Sequence, residues 1–399
     1  MKDYLTIDDV ILDHKRVLVR VDFNSPMDPS GNILDDKRIK SHLETLRALE
    51  DCRVVLMAHQ SRAGKKDYTT LEAHARQATR LLRRDVAYID DIFGSCARET
   101  IKSLVPGDVL LLENTRFYAE ENMTRTPAEH AKSHMVKKLA PLFDLFVNDA
   151  FAVSHRAHAS VEGITRFFPE PAAGFLMKEE LHYLNKVMVD PARPLVAVIG
   201  GAKVSGKLEV LKNLALRVDK MIIGGGMAFT FLKSMGLRVG KSLVEDDLLA
   251  TAREILETSQ KKGVGIYLPV DCVAADKFEA TAQTRITPVQ EIPEGWMGLD
   301  IGPATRSLFG EALQNVKTVI WNGPMGVFEM EPFSQGTFEL ARQIANSGAL
   351  SIVGGGDTDL ALHKSGQTKR ISYISTAGGA FLELLEGKIL PGVKVLQKG

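Results

Sequence analysis

Residues 195–218 read LVAVIGGAKVSGKLEVLKNLALRV and divide into three pieces. LVAVI (195–199) is a β-branched and apolar run of strand length. GGAKVSG is a glycine-bearing turn, and KLEVLKNLALRV (207–218) has apolar residues at helical spacing. A strand, a glycine turn and an amphipathic helix form the first part of a βαβ unit, whose next strand runs parallel to the first. Glycine after a strand lets backbone N–H groups approach an anion with no Cβ in the way, and the following helix adds its dipole. Gly201 to Lys207 spell G-x-x-x-x-G-K, but Leu208 stands where a P-loop needs a Ser or Thr hydroxyl for Mg²⁺. The turn is therefore not a P-loop of the usual kind. Lys203 and Lys207, four apart at the helix start, can share one face near its N-terminus, either solvated or turned to a phosphate.

The same rhythm runs outward in both directions. The first half has apolar runs at 17–21, 53–57, 86–89, 109–112 and 145–147; the second has them at 195–199, 221–223, 265–270, 318–321, 350–353 and 371–374. Amphipathic stretches such as KRIKSHLETLRALE (37–50) lie between them. Alternating strands and helices imply parallel sheets with helices on both faces, and 399 residues exceed one core. The expected fold is α/β, with two Rossmann-like doubly wound parallel-sheet domains joined by a hinge helix. FFPEPAAG (167–174) is rich in turn residues and KEELHYLNKVMV (178–189) reads as the connecting helix. We place the domains at 1–172 and 173–384, the second including that helix, with a tail of about 385–399 that folds back on the first.

Formal net charge is zero, which gives no support for a nucleic-acid or membrane-surface partner. Cys52, Cys96 and Cys272 are few and far apart, consistent with a reducing compartment. MKDYLTIDDV lacks the apolar core of a signal peptide, and no run nears the length of a membrane span, so a cytoplasmic location is expected. Residues 1–170 hold 15 Arg and 10 Lys, against 8 Arg and 17 Lys in 171–399. Arg is the better clamp for carboxylate and phosphate, so the first half suits a small anion.

Ligands of open α/β sheets bind beyond the carboxyl ends of the strands. There the first half offers VDFN (21–24), AHQSR (58–62), ENTRF (113–117) and NDAFAVSHR (148–156). The second offers IGGAK (199–203), GGGMAF (224–229), WNGPMG (321–326), GGGDT (354–358) and STAGGAF (375–381). Five glycine turns in one half suggest a phosphate-rich ligand such as a nucleotide, with Asp357 as the candidate for Mg²⁺. Arg38, Arg62, Arg116 and Arg156 would together bind a small molecule carrying phosphate and carboxylate. Asp22, Asn24 and His59 could read its hydroxyls or carboxylate, though Asp22 could equally orient an Arg. His130 and His134 fit a solvated helix face better than a metal site, and His155 and His158 lack a third ligand. No G-x-G-x-x-G follows a strand and no G-x-S-x-G elbow occurs.

In order over almost the whole chain, VDFN, HQSR, ENTRF, NDAF…HRAHAS, GGAKVSGK, GGGMAFTF, WNGPMGVFE, GGGDT and STAGGAFLELLEGK resemble the phosphoglycerate kinase family. HQSR and DAFAVSHRAHAS look most like its archaeal branch. The resemblance implies reversible Mg²⁺-dependent phosphoryl transfer between 1,3-bisphosphoglycerate and ADP, giving 3-phosphoglycerate and ATP. It implies that Asp22, Phe23, Asn24, Arg38, His59, Gln60, Ser61, Arg62, Arg116 and Arg156 bind the glycerate. For the nucleotide it implies Lys203, Lys207, Asn322, Pro324, Glu329, Gly355, Gly356, Asp357 and Thr358, with Asp357 on the metal and Glu329 on the ribose. Arg38, Lys203, Gly355 and Gly378 would serve the transfer itself. The family more often shows HLGRP where HQSRA stands, and STGGGA where STAGGA stands.

This chemistry explains why no nucleophile or base is evident. The attacking carboxylate or phosphate oxygen is already ionised at pH 7, so positioning and charge stabilisation remain. Closure of the two domains is expected to exclude water. A monomer is the default, with a dimer left open. The rivals are a P-loop nucleotide hydrolase, against which Leu208 argues, and a non-catalytic two-lobed binding protein.

Overall fold

A computed structural model describes Tyr4 to Gln397; the first three residues of MKDYLTIDDV and the last two of the expected tail lie outside the described residues. The chain divides into two compact units. Unit 1 runs to His182 and resumes at Ile389, and unit 2 is Tyr183–Lys388. The division falls inside the helix Phe175–Met188 and not at 172/173, and Leu385–Lys388 stay with unit 2.

Unit 1 holds β1 (Arg16–Arg20), β2 (Arg53–Met57), β3 (Ala87–Tyr88), β4 (Val109–Leu111), β5 (Leu145–Asn148) and β6 (Ala172–Ala173). They pair in parallel in the order β3-β4-β2-β1-β5-β6. These strands read as unbroken apolar runs because successive side chains enter cores on opposite faces. Val17, Val19, Val54 and Leu56 enter one core, while Leu18, Val55, Met57 and Phe146 enter the other. Each such side chain stabilises the fold by ~1.5–3 kcal/mol. Arg20 is the exception, a charge fully buried at the end of β1. The helix Pro391–Lys394 lies on the loop after β5. There the Gly392 N–H donates to the Ser154 carbonyl (2.8 Å), and the Asn148 amide donates to the Gly392 carbonyl (3.0 Å).

Unit 2 holds β7 (Leu195–Ile199), β8 (Lys220–Ile223), β9 (Gly265–Tyr267), β10 (Asp271–Ala275), β11 (Thr284–Pro288), β12 (Met297–Ile301), β13 (Thr318–Asn322), β14 (Leu350–Gly354) and β15 (Tyr373–Ile374). Its main sheet is parallel, in the order β15-β14-β13-β7-β8-β9. The chain winds one way from β7 through β8 to β9, and the other way from β13 to β15. The β7/β13 junction is therefore the topological switch point, where such sheets bind ligands. LVAVIGGAKVSG ends there, as its reading as a strand and turn requires.

Two local expectations need correction. An antiparallel sheet, β11-β10-β12, stands apart from the parallel one and has no counterpart in the sequence reading. GIYLPV stops being a strand at Tyr267, and DCVAA, TRITP and MGLDI mix small, polar and apolar residues; β11 is mostly exposed, so no apolar run marks it. His130 and His134 do not share a solvated helix face either. They belong to two short helices, Pro127–His130 and His134–Leu139, and His130 is fully buried.

Candidate functional site

In unit 1 the residues after β1, β2 and β4 interlock. The Asn24 side-chain oxygen accepts the Ser61 N–H (2.8 Å), and the Asn114 amide donates to the Gln60 carbonyl (2.9 Å). Gln60 is buried, exchanging hydrogen bonds with the Ser25 backbone (3.0 and 2.9 Å) and taking another from His74 Nε2 (3.0 Å). Phe23 is buried against His42. These two expected ligand residues thus turn their side chains inward and brace the loops. Ser61 has φ 53°, in the left-handed region, at the HQSRA position where HLGRP carries glycine. Its hydroxyl donates to Asp67 (2.6 Å), which offsets that cost.

Asp22 lies at the centre. Its N–H donates to His42 Nε2 (3.0 Å), so the His42 proton sits on Nδ1, which donates to Asp149 (2.7 Å). Its carboxylate accepts from Arg38, on the helix Lys37–Ser41. Burial pushes the Asp22 carboxyl up, but Arg38 above all, with Arg20, outweighs this and brings it down to about 2. Burial also pushes the Arg116 guanidinium down, assisted by Arg20, to about 10, so it stays charged at neutral pH. Arg116 donates to the Ser61 carbonyl, while Arg62 and Arg156 are exposed and have no ion pair among the described residues. His59 is buried, and burial holds it well below the usual imidazole range, with Asp22 opposing. The loops thus hold a group of guanidinium ions with Asp22 and Glu121 as buried counter-charges. Arg20, Glu121 and Ser160 were not among the expected residues. A charged residue inside the apolar run VLVRV was the available signal for Arg20.

In unit 2 the loops at the switch point meet backbone to backbone. The Gly200 N–H donates to the Asn322 carbonyl (3.0 Å) and the Gly201 N–H to the Pro324 carbonyl (2.9 Å). The Asn322 amide donates to the Gly354 carbonyl (2.7 Å), and Thr358 Oγ1 accepts the Gly323 N–H (2.8 Å). Lys207 Nζ donates to the carbonyls of Gly200 (2.6 Å) and Asn322 (3.0 Å), stapling the two loops. Burial brings its ammonium down to about 8, with Asp357 opposing. Lys203 is exposed and makes no hydrogen bond among the described residues. Gly355 and Gly356 open the helix Gly356–Lys364, Asp357 is exposed in its first turn, and Gly378 lies beside Gly355. Ala377 is buried, so its methyl group enters the core and leaves that turn clear.

A cavity of about 520 Å³ opens between these loops and the antiparallel sheet. Gly201, Pro324, Glu329 and Asp357 line its polar side; Phe229, Leu243, Met297 and Leu299 line its apolar side. The apolar wall is the part of this site that sequence reasoning missed. Asp300 sits in the lining, buried, and accepts N–H groups from Gly336 (2.7 Å) and Ile301 (2.9 Å). Burial raises its carboxyl to about 7, against the pull of those two donors. An unfolded Asp ionises near 3.9, so between about pH 4 and 7 the folded state keeps a proton that the unfolded state has lost. Unit 2 should therefore lose stability as pH rises through that window and level off above it. Thermal denaturation of the wild-type chain at pH 5 and 7 measures this, and Asp300→Asn should flatten the slope.

The arrangement has close relatives. The family model for phosphoglycerate kinase matches residues 7–388. The phosphoglycerate kinase of Geobacter sp. (strain M21) is 56% identical, across 97% of this chain and 96% of its own. That of Campylobacter curvus is 49% identical, across 100% and 99%. The solved phosphoglycerate kinase structure from Coxiella burnetii aligns with a TM-score of 0.89 at 40% identity, covering 99% of each chain. That from Pyrococcus horikoshii OT3 gives 0.87 at 37%, covering 98% of each. The relatives sharing about half the sequence are bacterial, which does not favour the archaeal likeness of HQSR. Guanidinium-lined loops in one unit, a glycine cradle in the other and a family match over most of the chain lead to one conclusion: this chain belongs to the phosphoglycerate kinase family.

Proposed function

We propose that the chain moves a phosphoryl group between 1,3-bisphosphoglycerate and ADP, with the glycerate on unit 1 and the nucleotide on unit 2. The observation that carries the division is chemical: unit 1 presents guanidinium groups, and unit 2 presents glycine backbone beside a half-apolar cavity. In the ATP-consuming direction a carboxylate oxygen of 3-phosphoglycerate forms a bond to the γ-phosphorus. The bond from that phosphorus to the bridging oxygen breaks, and ADP leaves with the electron pair. No proton moves, because the attacking carboxylate is ionised at pH 7.

Arg62, Arg116 and Arg156 hold the charged groups of the glycerate, and Asp22, Asn24, His59 and Ser61 read its polar edge. Phe23 and Gln60 keep those loops in shape. Arg38 and Lys203 stabilise charge on the equatorial oxygens of the moving group, with the backbone of Gly355 and Gly378 beside it. Gly356, Asp357 and Thr358 cradle the nucleotide phosphates at a helix N-terminus, and Lys207 serves them through the loops it staples. Pro324 and Asn322 shape the cavity, and Glu329 meets the ribose.

Among the described residues no group of three or more His, Cys, Asp or Glu could hold a metal. A single exposed carboxylate, Asp357, beside a phosphate cradle fits Mg²⁺, which takes one or two protein carboxylates and completes its shell with substrate phosphates and water. Bound there, the ion would neutralise phosphate charge. No helix among the described residues is long and apolar enough to cross a membrane. We place the protein in the cytoplasm as a monomer.

The test is ATP-to-ADP conversion with Mg²⁺, with and without 3-phosphoglycerate. Conversion that depends on the glycerate supports the reading, and equal conversion without it would replace the kinase with a nucleotide hydrolase. Glu329→Ala should raise the KM for ATP by about tenfold, the worth of one hydrogen bond to a charged group, and leave the KM for 3-phosphoglycerate unchanged. The reverse pattern would overturn the assignment of ligands to units.

A further inference from the structure

A buried chain of hydrogen bonds in unit 1 ends on His59 and fixes which of its ring nitrogens carries the proton. Glu121, Ser160 and Arg20 are all fully buried, and His59 is 2% exposed. The Glu121 carboxylate accepts the Ser160 hydroxyl (2.5 Å) and the Ser160 N–H (2.9 Å). With its proton given to Glu121, Ser160 Oγ accepts from Arg20 Nε (3.0 Å). One terminal nitrogen of Arg20 donates to the Val21 carbonyl, and the other lies 3.2 Å from His59 Nδ1. A guanidinium has no acceptor, so His59 Nδ1 must be the acceptor and the neutral ring carries its proton on Nε2.

The neighbouring carboxylate does not compete for that position. Asp22 Oδ1 is 3.9 Å from His59 Nδ1, beyond a hydrogen bond, and the same nitrogen is already taken by Arg20. His59 Nε2 makes no hydrogen bond among the described residues, yet it is not one of the sealed polar atoms lacking a partner, so it keeps access to solvent. A donor N–H held in a fixed direction at the edge of an arginine-lined site is suited to an oxygen of an anionic ligand.

We propose that Arg20, oriented by Glu121 through Ser160, is a positioning residue that locks His59 as a neutral Nε2–H donor to the glycerate substrate. The substrate half of this statement rests on the function proposed above; the tautomer half does not. Arg20 is not a substrate contact here, since it is buried and its nitrogens are spent on Ser160, Val21 and His59.

The experiment is heteronuclear NMR of the full chain with ¹⁵N-labelled histidine, assigning His59 with His59→Gln, on the wild type, Ser160→Ala and Glu121→Gln. The wild type should show His59 with an unprotonated Nδ1 and a protonated Nε2. Ser160→Ala, the mildest change, should give a mixture of the two tautomers and raise the KM for 3-phosphoglycerate by about tenfold, leaving the KM for ATP within twofold. Glu121→Gln should act in the same direction; if it fails to fold, Ser160→Ala decides alone. A wild-type His59 protonated on Nδ1 would overturn the proposal. So would a Ser160→Ala protein that keeps the wild-type tautomer, whatever its KM. An Nε2–H signal in a chain with no glycerate-dependent turnover would confirm the lock and overturn its link to glycerate, together with the proposed function.

Discussion

Arg38→Ala should lower kcat by about three orders of magnitude or more while the chain still folds. Arginine groups that stabilise phosphoryl-transfer transition states are worth roughly 10³–10⁵ in rate, because charge spreads over the equatorial oxygens as the bond to the leaving group breaks. The proposed function gives Arg38 such a role. Its side chain is 34% exposed and its partner, Asp22, is buried, so the guanidinium is aimed from a fixed carboxylate and remains partly open to a ligand. Arg38→Lys should recover only part of the loss, because an ammonium keeps the charge but not the planar fork. The same variants carry a second signature. Asp22 is held at about 2 chiefly by Arg38 against its own burial, so its carboxyl should rise when Arg38 becomes Ala. In the wild type that depressed value contributes stability above pH ~4 that is lost as pH falls towards 2, and the variant should lose its share at a higher pH. Turnover within tenfold of wild type, with the fold intact by circular dichroism, would remove Arg38 from the reaction.

Gly323→Ala should destabilise unit 2 by ~2–6 kcal/mol and abolish measurable nucleotide binding. Gly323 has φ 97°, which an alanine adopts only under strain of ~1–3 kcal/mol. Its added Cβ would also stand 2.4 Å from the Gly200 carbonyl oxygen and 2.4 Å from Lys207 Nζ. A carbonyl in a packed turn cannot step aside cheaply, and overpacking of this kind costs a further ~1–3 kcal/mol. The displaced atoms are those that join the β7 and β13 loops, so the cavity mouth would shift with them. Gly206→Ala is the control from the same sequence stretch. A Cβ there meets nothing within 4 Å, so stability should change by less than ~1 kcal/mol. Urea denaturation followed with ATP binding compares the two; equal behaviour would show that the switch point is not packed as described.

The parallel sheets were legible because their strands are buried on both faces, which writes an uninterrupted apolar run into the chain. Each run quoted from the sequence falls on a strand of the main sheets, although GIYLPV overshoots its strand by three residues. The antiparallel sheet was not legible: β10 and β12 mix small and polar residues with apolar ones, and β11 is largely solvated, so no apolar run marks them. At the candidate sites, residue types announced the chemistry but not the direction in which a side chain points. Gln60 and Phe23 turn inward although their neighbours Ser61 and Asn24 line the loops, and Lys207 binds carbonyls although it reads as a phosphate ligand. Such choices depend on partners far away in sequence, such as His74 for Gln60 and Asn322 for Lys207.

The glycine cradle of unit 2 makes the two halves vulnerable to opposite kinds of change. On the proposed division of ligands, unit 1 recognises its ligand with side chains, so its site is damaged by losing atoms, and a library of truncations to alanine would find it. Unit 2 offers backbone, and alanine there adds an atom: at Gly200 or Gly225 a Cβ would stand within 3 Å of a carbonyl oxygen. A deep mutational scan should therefore show a polarity along the chain. Loss-of-function positions before residue 183 would tolerate replacements that preserve size and charge, whereas the packed glycines Gly200, Gly225 and Gly323 would tolerate nothing larger than hydrogen.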